Sequence, residues 1–266
     1  MHKKMLSYFN LTGMPFSKEI GTEQLIELPS VEMALSSAKL LVETRGIGLL
    51  TGKSGSGKSC LLRLLKASLN PALYKVIYCC HSSIGLHEFY THLANGLGLP
   101  PRGRRATLFR AAKERIHSLH ISRKIHPVLL LDEAHLLSHD ILQEIRLLTN
   151  FEIDSVNALT VLLCGQESLN LAFGLSMLES LANAITINIK MDSLPAEEVF
   201  SYIEKRLADC GNSSAAFSKP ALTLIHQASA GVFRSIGIIA WAAMHKAYLQ
   251  KSAKVEAEHV KAVIER

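Results

Sequence analysis

The residues between Gly52 and Cys60 combine glycine, lysine and serine in the order G-x-x-x-x-G-K-S, which could bind a chain of phosphates. In such a loop the backbone N–H groups turn inward around the phosphates, while the lysine ammonium lies near the β- and γ-phosphates. The serine hydroxyl can bind Mg²⁺. The residues predicted to bind nucleotide are Gly52, Lys53, Ser54, Gly55, Ser56, Gly57, Lys58, Ser59 and Cys60, with Ser59 also predicted to bind the metal.

The segments on either side of this loop agree with the phosphate-binding interpretation. Residues 47–50 are apolar and predict a short buried strand, and residues 61–66 have the spacing of an amphipathic helix. A flexible Gly/Ser linker is the alternative, but a linker does not require a strand before it and a helix after it. A strand and a helix in these places are the context that confirms the motif.

A second nucleotide motif follows the apolar residues 128–131, where the chain continues with Asp132 and Glu133. A buried strand that ends in acids places them at the carboxyl edge of an open α/β sheet, where ligands bind. We expect Asp132 to hold Mg²⁺ and Glu133 to orient and deprotonate an attacking water. Two acids capping a helix are the alternative. Gln166 follows another apolar strand and either contacts the γ-phosphate or the attacking water, or lies in a solvated loop.

Apolar segments alternate with helical patterns along most of the chain. Strands are predicted at 47–50, 74–80, 128–131, 159–164 and 185–189, and four helices follow residue 194. This order predicts an α/β fold, with a five-stranded, mainly parallel sheet followed by a small all-helical lid domain. The expected domains are an N-terminal extension (1–30), a nucleotide-binding domain (31–193) and the lid (194–266). By analogy with similar folds, the extension is expected to pack near the nucleotide.

Composition restricts the other classes of function. The five cysteines contain no C-x-x-C pair, so zinc and redox sites are not expected. No apolar run approaches the ~18 residues that span a bilayer, and the N-terminus lacks the features of a signal peptide. We therefore expect a cytoplasmic protein without a membrane partner. The net charge of +6 favours an anionic partner.

Positive charge is concentrated in residues 100–126, which hold eight of the 29 lysines and arginines and a single acid, Glu114. Lysine and arginine neutralise DNA phosphates with little sequence preference. A solvated basic face is the alternative. The residues predicted to contact DNA are Arg102, Arg104, Arg105, Arg110 and Lys113.

Taken together, the loop, the acidic strand end, the polar strand tip and the helical lid resemble the AAA+ ATPases. Five segments resemble the ExeA-type branch of this family in particular. The resemblance continues into the lid, at Tyr202-Ile203, Arg206-Leu207 and 231–234. The five segments are Phe9-Asn10-Leu11 with Pro15-Phe16, Leu50-Thr51-Gly52, Leu131-Asp132-Glu133-Ala134, residues 144–152, and Leu163-Cys164-Gly165-Gln166. This branch includes the ATPases of transposition systems, of the TniB, TnsC and MuB kind.

The resemblance implies roles for individual residues. Lys58 and Ser59 would bind phosphate and magnesium, Asp132 magnesium, and Glu133 the attacking water. Gln166 would be the sensor 1 residue and Arg234, at the start of a lid helix, the sensor 2 residue. The cofactors implied are ATP and Mg²⁺, and the assemblies implied are homo-oligomeric rings or filaments with about six subunits per turn, as is usual in the family.

ExeA secretion proteins continue beyond the ATPase into a membrane span and a wall-binding domain, whereas this sequence ends at Arg266. Together with the basic segment, this favours a transposition regulator that binds double-stranded DNA and recruits or activates a transposase. An ATPase for secretion or envelope assembly, acting through protein contacts, is the alternative. A DEAH helicase, suggested by residues 132–135, is disfavoured because a second RecA-like domain has no room.

The sequence departs from its relatives just before the fifth strand. Related ATPases usually carry arginines there that complete the active site of a neighbouring subunit, but residues 178–185 contain none. No lysine or arginine occurs between Leu147 and Ile189. The nearest substitutes are Arg146 and Lys190, and a partner protein is a third source. Because an arginine finger is worth about 10³ to 10⁵ in rate, we expect slow turnover.

Overall fold

The computed structural model describes residues 2–17, 28–80, 85–212 and 215–265. The chain divides into two compact units. The first, called here the sheet unit, comprises Met33–Ser54 and Lys58–Met191. The second, the helical unit, comprises Met1–Glu32, Gly55–Gly57 and Asp192–Arg266. The domain boundaries predicted from the sequence stay predictions.

The sheet unit is built on five strands in the order β2-β3-β4-β1-β5, and every adjacent pair is parallel. This confirms the predicted α/β fold. The strands are β1 (Ile47–Gly52), β2 (Tyr74–Cys79), β3 (His126–Leu131), β4 (Thr160–Gly165) and β5 (Ile185–Met191). β3 begins two residues earlier than predicted, because His126 pairs with Tyr74 even though Pro127 follows it.

Burial distinguishes the central strands from the edge strands. Every residue of β1, β3 and β4 is buried, which explains their continuous apolar runs, since a parallel sheet is covered on both faces. β2 and β5 lie at the edges, and buried positions alternate with more exposed ones along both. Because the strands are parallel, the carboxyl ends of β1, β3 and β4 meet at one edge of the sheet. The predicted site residues follow these strand ends.

The helices connect the strands and form the second unit. In chain order they are α1 (His2–Tyr8), α2 (Pro29–Thr44), α3 (Lys58–Ser68), α4 (Leu86–Leu97), α5 (Arg105–Ile121), α6 (His139–Thr149), α7 (Ser168–Ala172), α8 (Glu179–Asn183), α9 (Ala196–Asp209), α10 (Lys219–Ser229), α11 (Phe233–Leu249) and α12 (Ala257–Ile264). Short 3₁₀ turns occur at Ala134–Leu136 and Ser176–Leu178. The four helices predicted after residue 194 are confirmed as α9 to α12.

The core of the sheet unit lies between the sheet and helices α4, α5 and α6. Phe89, Leu93 and Leu97 of α4 are buried there at helical spacing, together with Ile116 of α5 and Ile145 of α6. Burial of each such side chain contributes about 1.5–3 kcal/mol. The apolar faces of the helices therefore hold the strands in place beneath the loops that follow them.

In the helical unit, the N-terminal segment packs against α9 and α11. The ring of Tyr8 meets that of Tyr248 edge to face, with centroids 5.4 Å apart. The buried Arg206 donates a hydrogen bond from Nε to the Pro15 carbonyl oxygen at 2.6 Å, and Asn212 donates to the Phe9 carbonyl oxygen at 2.7 Å. In the described part of the chain, no helix is long and apolar enough to cross a bilayer.

Candidate nucleotide-binding site

The glycine-rich loop leaves β1 at Gly52 and ends where α3 begins at Lys58. Gly55 and Gly57 have φ angles of +81° and +94°, in the left-handed region that side chains other than glycine rarely adopt. These two angles turn the backbone between the strand and the helix. The N-terminus of α3 thus opens directly after the loop, which is the arrangement that binds phosphate groups.

Lys58 is buried and is held by its own loop. Its Nζ donates hydrogen bonds of 2.9 Å to the carbonyl oxygens of Gly52 and Lys53. An ammonium group has three N–H donors, so one remains beyond these two. The buried Ser56 Oγ, in the same loop, has no hydrogen-bond partner among the described residues. Buried hydroxyls are normally paired, so this group fits a site that receives a polar ligand.

Asp132 immediately follows β3 and is buried. Its Oδ2 accepts a hydrogen bond from Ser59 Oγ at 2.9 Å, and its Oδ1 accepts one from the Glu133 N–H at 2.9 Å. The fold therefore brings together the two predicted magnesium ligands, which lie 73 positions apart in the sequence. Mg²⁺ prefers oxygen ligands and is commonly bound through one or two carboxylates together with phosphates, so this donor set fits the ion.

Two residues that the sequence analysis did not assign to the site also contact Asp132. Tyr78, on β2, donates a hydrogen bond of 3.0 Å from its hydroxyl to Oδ2. Burial, with the hydrogen bonds and charge around the hydroxyl, raises the pKa of Tyr78. Cys164, on β4, also interacts with the carboxylate, and burial is the main cause that raises the pKa of its thiol. The order of strands β2, β3 and β4 was the missing signal.

Glu133 lies beside two other polar residues at the carboxyl edge of the sheet. Its backbone is left-handed, with φ 54°, and its Oε2 lies 3.5 Å from His135 Nδ1. The Gln166 N–H, immediately after β4, donates to the same Nδ1 at 3.4 Å. The predicted catalytic base and the predicted sensor 1 residue are therefore separated by one imidazole ring, which the sequence analysis did not identify as part of the site.

Arg234 lies in the first turn of α11 in the helical unit. Its backbone N–H donates to the carbonyl oxygen of Gly55, a residue of the same unit, at 3.2 Å. The role of its guanidinium as sensor 2 stays a prediction.

The predicted DNA-contacting residues differ in their surroundings. Arg105 forms an ion pair with Glu144 at 3.5 Å, and Arg110 pairs with Glu114 on the surface of α5 at 3.9 Å. Lys113 donates hydrogen bonds to the carbonyl oxygens of Leu147 and Asn150. Arg102 and Arg104 are exposed.

The contacts of Lys113 distinguish it from the four arginines of the same segment. Its ammonium closes the end of α6 and lies 4.7 Å from the centre of the Phe151 ring. Desolvation by burial lowers its pKa. Lys113 is therefore bound within the fold, and its contact with DNA stays a prediction, as do those of the four arginines.

Comparison with known proteins places this geometry in a family. A family model described as an AAA domain matches residues 41–173, half of the chain. General secretion pathway protein A of Aeromonas hydrophila is 28% identical over 251 residues, which cover 93% of this chain and 46% of that protein. The chain thus spans less than half the length of this relative.

Several solved structures share the fold. Cdc6p from Pyrobaculum aerophilum superposes with a TM-score of 0.68 at 19% identity, covering 91% of this chain and 67% of that one. The ORC2 protein of Aeropyrum pernix gives 0.67 at 16% identity, covering 95% and 71%. The RuvB motor of Thermotoga maritima gives 0.58 at 17% identity, covering 95% and 73%. With the strand, loop and acidic strand end described above, the matched family model shows that the chain belongs to the AAA domain family.

Proposed function

We propose that this protein is an ATPase that binds ATP with Mg²⁺ at the glycine-rich loop and hydrolyses it to ADP and phosphate. The observation that carries the proposal is the 2.9 Å hydrogen bond between Ser59 Oγ and Asp132 Oδ2, beside the loop that holds Lys58. A hydroxyl, a buried carboxylate and a buried ammonium converge at the start of a helix, which is the set that a nucleoside triphosphate with magnesium requires.

In this mechanism the residues of the loop bind and orient the phosphates. The backbone N–H groups and Lys58 stabilise charge on the β- and γ-phosphates, while Ser59 and Asp132 hold Mg²⁺, which when bound neutralises charge developing on the phosphate oxygens. Glu133 accepts a proton from the water whose oxygen attacks the γ-phosphorus. The bond from that phosphorus to the bridging oxygen breaks, and ADP leaves. Gln166 is proposed to contact the γ-phosphate or the attacking water, and Arg234 is proposed as the sensor 2 residue.

The comparisons support the nucleotide part of this proposal. The Aeropyrum pernix ORC2 structure is described as containing ADPNP and ADP complexes, and it shares the fold of this chain. The AAA domain model covers the loop together with Asp132, Glu133 and Gln166. Both observations favour a nucleotide at this site over an unrelated anion.

Three proteins test the ATPase: wild type, Lys58→Ala and Glu133→Gln. Lys58→Ala should lose ATP binding, because its ammonium is the buried cation of the loop. Glu133→Gln should bind ATP as wild type does and lose hydrolysis by about 10²-fold or more, since it removes the general base. Lys66→Ala, an exposed lysine on the same helix, is the matched control. Equal ATP binding by wild type and Lys58→Ala would refute the proposal.

We further propose that ATP binding organises this protein on double-stranded DNA, as homo-oligomeric rings or filaments that recruit or activate a transposase. The exposed arginines at the start of α5 supply charge for phosphate contacts. Two proteins with the same fold, an ORC1 protein of Aeropyrum pernix and the Drosophila ORC, are described as bound to DNA. These likenesses support DNA binding, and the transposase partner rests on the resemblance to the transposition ATPases.

The experiment compares binding to a random-sequence duplex with ATP, with ADP and without nucleotide. We expect tight binding and large assemblies with ATP, their loss in Lys58→Ala and their accumulation in Glu133→Gln. Beads carrying the assembled DNA should then retain a transposase in the ATP state only. Assembly of Lys58→Ala on DNA at the wild-type level would show that nucleotide does not drive it.

A second candidate is an ATPase for secretion, which acts through protein contacts. One observation favours it: the relative whose match covers 93% of this chain is named General secretion pathway protein A. The same duplex assay separates the two candidates. An ATPase that hydrolyses ATP but shows no affinity for DNA in any nucleotide state would support the secretion candidate.

A further inference from the structure

His135 places one ring nitrogen between the predicted catalytic base and the end of the neighbouring strand. The distance from Nδ1 to Glu133 Oε2 is 3.5 Å, and the Gln166 N–H donates to Nδ1 from 3.4 Å. Both distances are long for a hydrogen bond: the N···O range ends near 3.2 Å, and the N···N distance to Gln166 also exceeds that value. Such distances are expected for an atom shared by two partners when it can serve only one of them at a time.

The chemistry of imidazole makes the two contacts mutually exclusive. To accept the Gln166 N–H, Nδ1 must carry a lone pair, with the ring proton on Nε2. To bind the Glu133 carboxylate, which has only acceptor atoms when ionised, Nδ1 must carry a proton. His135 therefore has two arrangements. In one arrangement Nδ1 accepts a hydrogen bond from the Gln166 N–H, and in the other it donates one to the carboxylate of Glu133.

The fold holds the ring in this place. His135 lies in the 3₁₀ turn Ala134–Leu136, and 9% of its side chain is exposed. A Cβ on Gly165 would lie 3.1 Å from the backbone nitrogen of His135, closer than nine in ten real Cβ contacts, so the absence of a side chain at 165 lets the turn approach the end of β4. The side chain of Glu133, in contrast, is 41% exposed on a left-handed backbone position. The ring is thus the fixed partner and the carboxylate the movable one.

We propose that His135 is a positioning residue that aims the Glu133 carboxylate at the attacking water and couples this aim to the end of β4 at Gln166. The inference rests on the proposed ATPase activity and deepens it. When the strand end engages the γ-phosphate and releases Nδ1, the ring binds Glu133. When the Gln166 N–H occupies Nδ1, Glu133 loses its fixed direction, so hydrolysis waits for correctly bound ATP.

Single-turnover hydrolysis, with protein in excess over labelled ATP, tests this proposal in the full chain. His135→Asn places an amide atom close to the position of Nδ1, whereas His135→Gln places it close to Nε2. His135→Ala removes both. We expect His135→Ala and His135→Gln to lower the rate by about 10-fold or more, since a misaligned base loses most of its advantage, and His135→Asn to retain most of it. Equilibrium affinity for ATP and the melting temperature should stay close to wild type in all three.

A double-mutant comparison separates positioning from structural damage. If His135 acts through Glu133, adding His135→Ala to Glu133→Gln should not slow hydrolysis further, because the residue it positions has already lost its basicity. A further drop of the same size as in the wild-type background would overturn the proposal. Equal rates for His135→Asn and His135→Gln would overturn it as well.

The outcome also distinguishes failure of the proposed positioning role of His135 from failure of the proposed ATPase activity. A wild type that does not hydrolyse ATP refutes the proposed activity and this inference with it. A wild type that hydrolyses ATP, together with an equally active His135→Ala, refutes only the positioning role of His135.

Discussion

Arg146 binds both carboxylate oxygens of Asp154 through its guanidinium, with Nη1 3.0 Å from Oδ1. The pair raises the pKa of Arg146 and lowers that of Asp154. Asp154 ends a run of three residues with positive φ, after Glu152 at 46° and Ile153 at 58°. Residues other than glycine rarely adopt this region, so the ion pair stabilises a loop whose backbone is strained.

The position of Arg146 decides whether it can replace the arginine that related ATPases carry just before the fifth strand and that residues 178–185 lack. Arg146 lines a cavity of about 750 Å³ at the amino ends of β1, β4 and β5, together with Arg45, Glu179 and Ser180. The glycine-rich loop follows the carboxyl end of β1, and a six-residue strand is about 20 Å long. Arg146 therefore lies far from the nucleotide site of its own subunit, and its charge is already bound to Asp154.

We expect Arg146→Ala to leave steady-state ATPase activity with DNA slow and unchanged, because Asp154 holds the guanidinium in the wild type. The loop 150–156 should instead become more sensitive to limited proteolysis, since its strained backbone loses the ion pair. Lys190→Ala tests Lys190, the other residue that could supply the missing trans-acting charge. A large loss of activity in Arg146→Ala assemblies would identify it as the trans-acting charge. Fast turnover that survives both variants would place that charge elsewhere or show that none is needed.

Replacing Arg102, Arg104 and Arg105 by alanine should weaken DNA binding mainly at low salt. Each phosphate contact contributes about −0.9 to the slope of log affinity against log salt, so three lost contacts should reduce the slope by up to about 2.7. The matched control replaces three exposed lysines of the helical unit, Lys251, Lys254 and Lys261, with the same change in charge. An unchanged slope in the arginine variant would locate the DNA site on another surface.

Lys113→Ala should lower the free energy of unfolding by about 1–2 kcal/mol, because it leaves two carbonyl oxygens at the end of α6 without their donor and removes a cation beside two aromatic rings. Urea unfolding measures this change. The salt slope of DNA binding should stay at the wild-type value. A reduced slope with wild-type stability would instead support the predicted contact of Lys113 with DNA.

His126 should make the protein less stable in mild acid. Burial, with the charges of Arg45 and His120, lowers its pKa to about 3, and its Nε2 lies 2.8 Å from Thr160 Oγ1. An unfolded histidine titrates near 6.5, so below that pH the unfolded chain binds a proton that the folded chain excludes until about pH 3. Stability therefore falls as the pH drops through this window, by up to about 1.4 kcal/mol per pH unit.

Urea unfolding at pH 7 and pH 5 measures this effect, and we expect a loss of about 2 kcal/mol from His126 alone. His126→Gln keeps a polar group near Thr160 without the titration, so its loss between the two pH values should be smaller. His87→Gln, an exposed histidine, is the control and should behave as wild type. An equal loss in wild type and His126→Gln would assign the acid sensitivity to other groups.

Local order along the chain was enough to predict several parts of this protein. The glycine-rich loop requires a strand before it and a helix after it, and the apolar runs of β1, β3 and β4 are long enough to predict buried parallel strands. The four helices after residue 194 followed from their spacing of apolar residues. These features depend on neighbours within a few positions, so a single sequence contains them.

Contacts between distant residues became visible only in the folded chain. Tyr78 and Cys164 reach Asp132 only because β2 and β4 flank β3, an order that strand patterns do not specify. Lys113 belongs to a basic segment by sequence, yet the carbonyl oxygens at the end of α6 bind it. His135 became part of the candidate site because Gly165 admits its turn beside the end of β4. Contacts between residues far apart in the chain depend on how strands and helices pack together, and local composition carries no record of that packing.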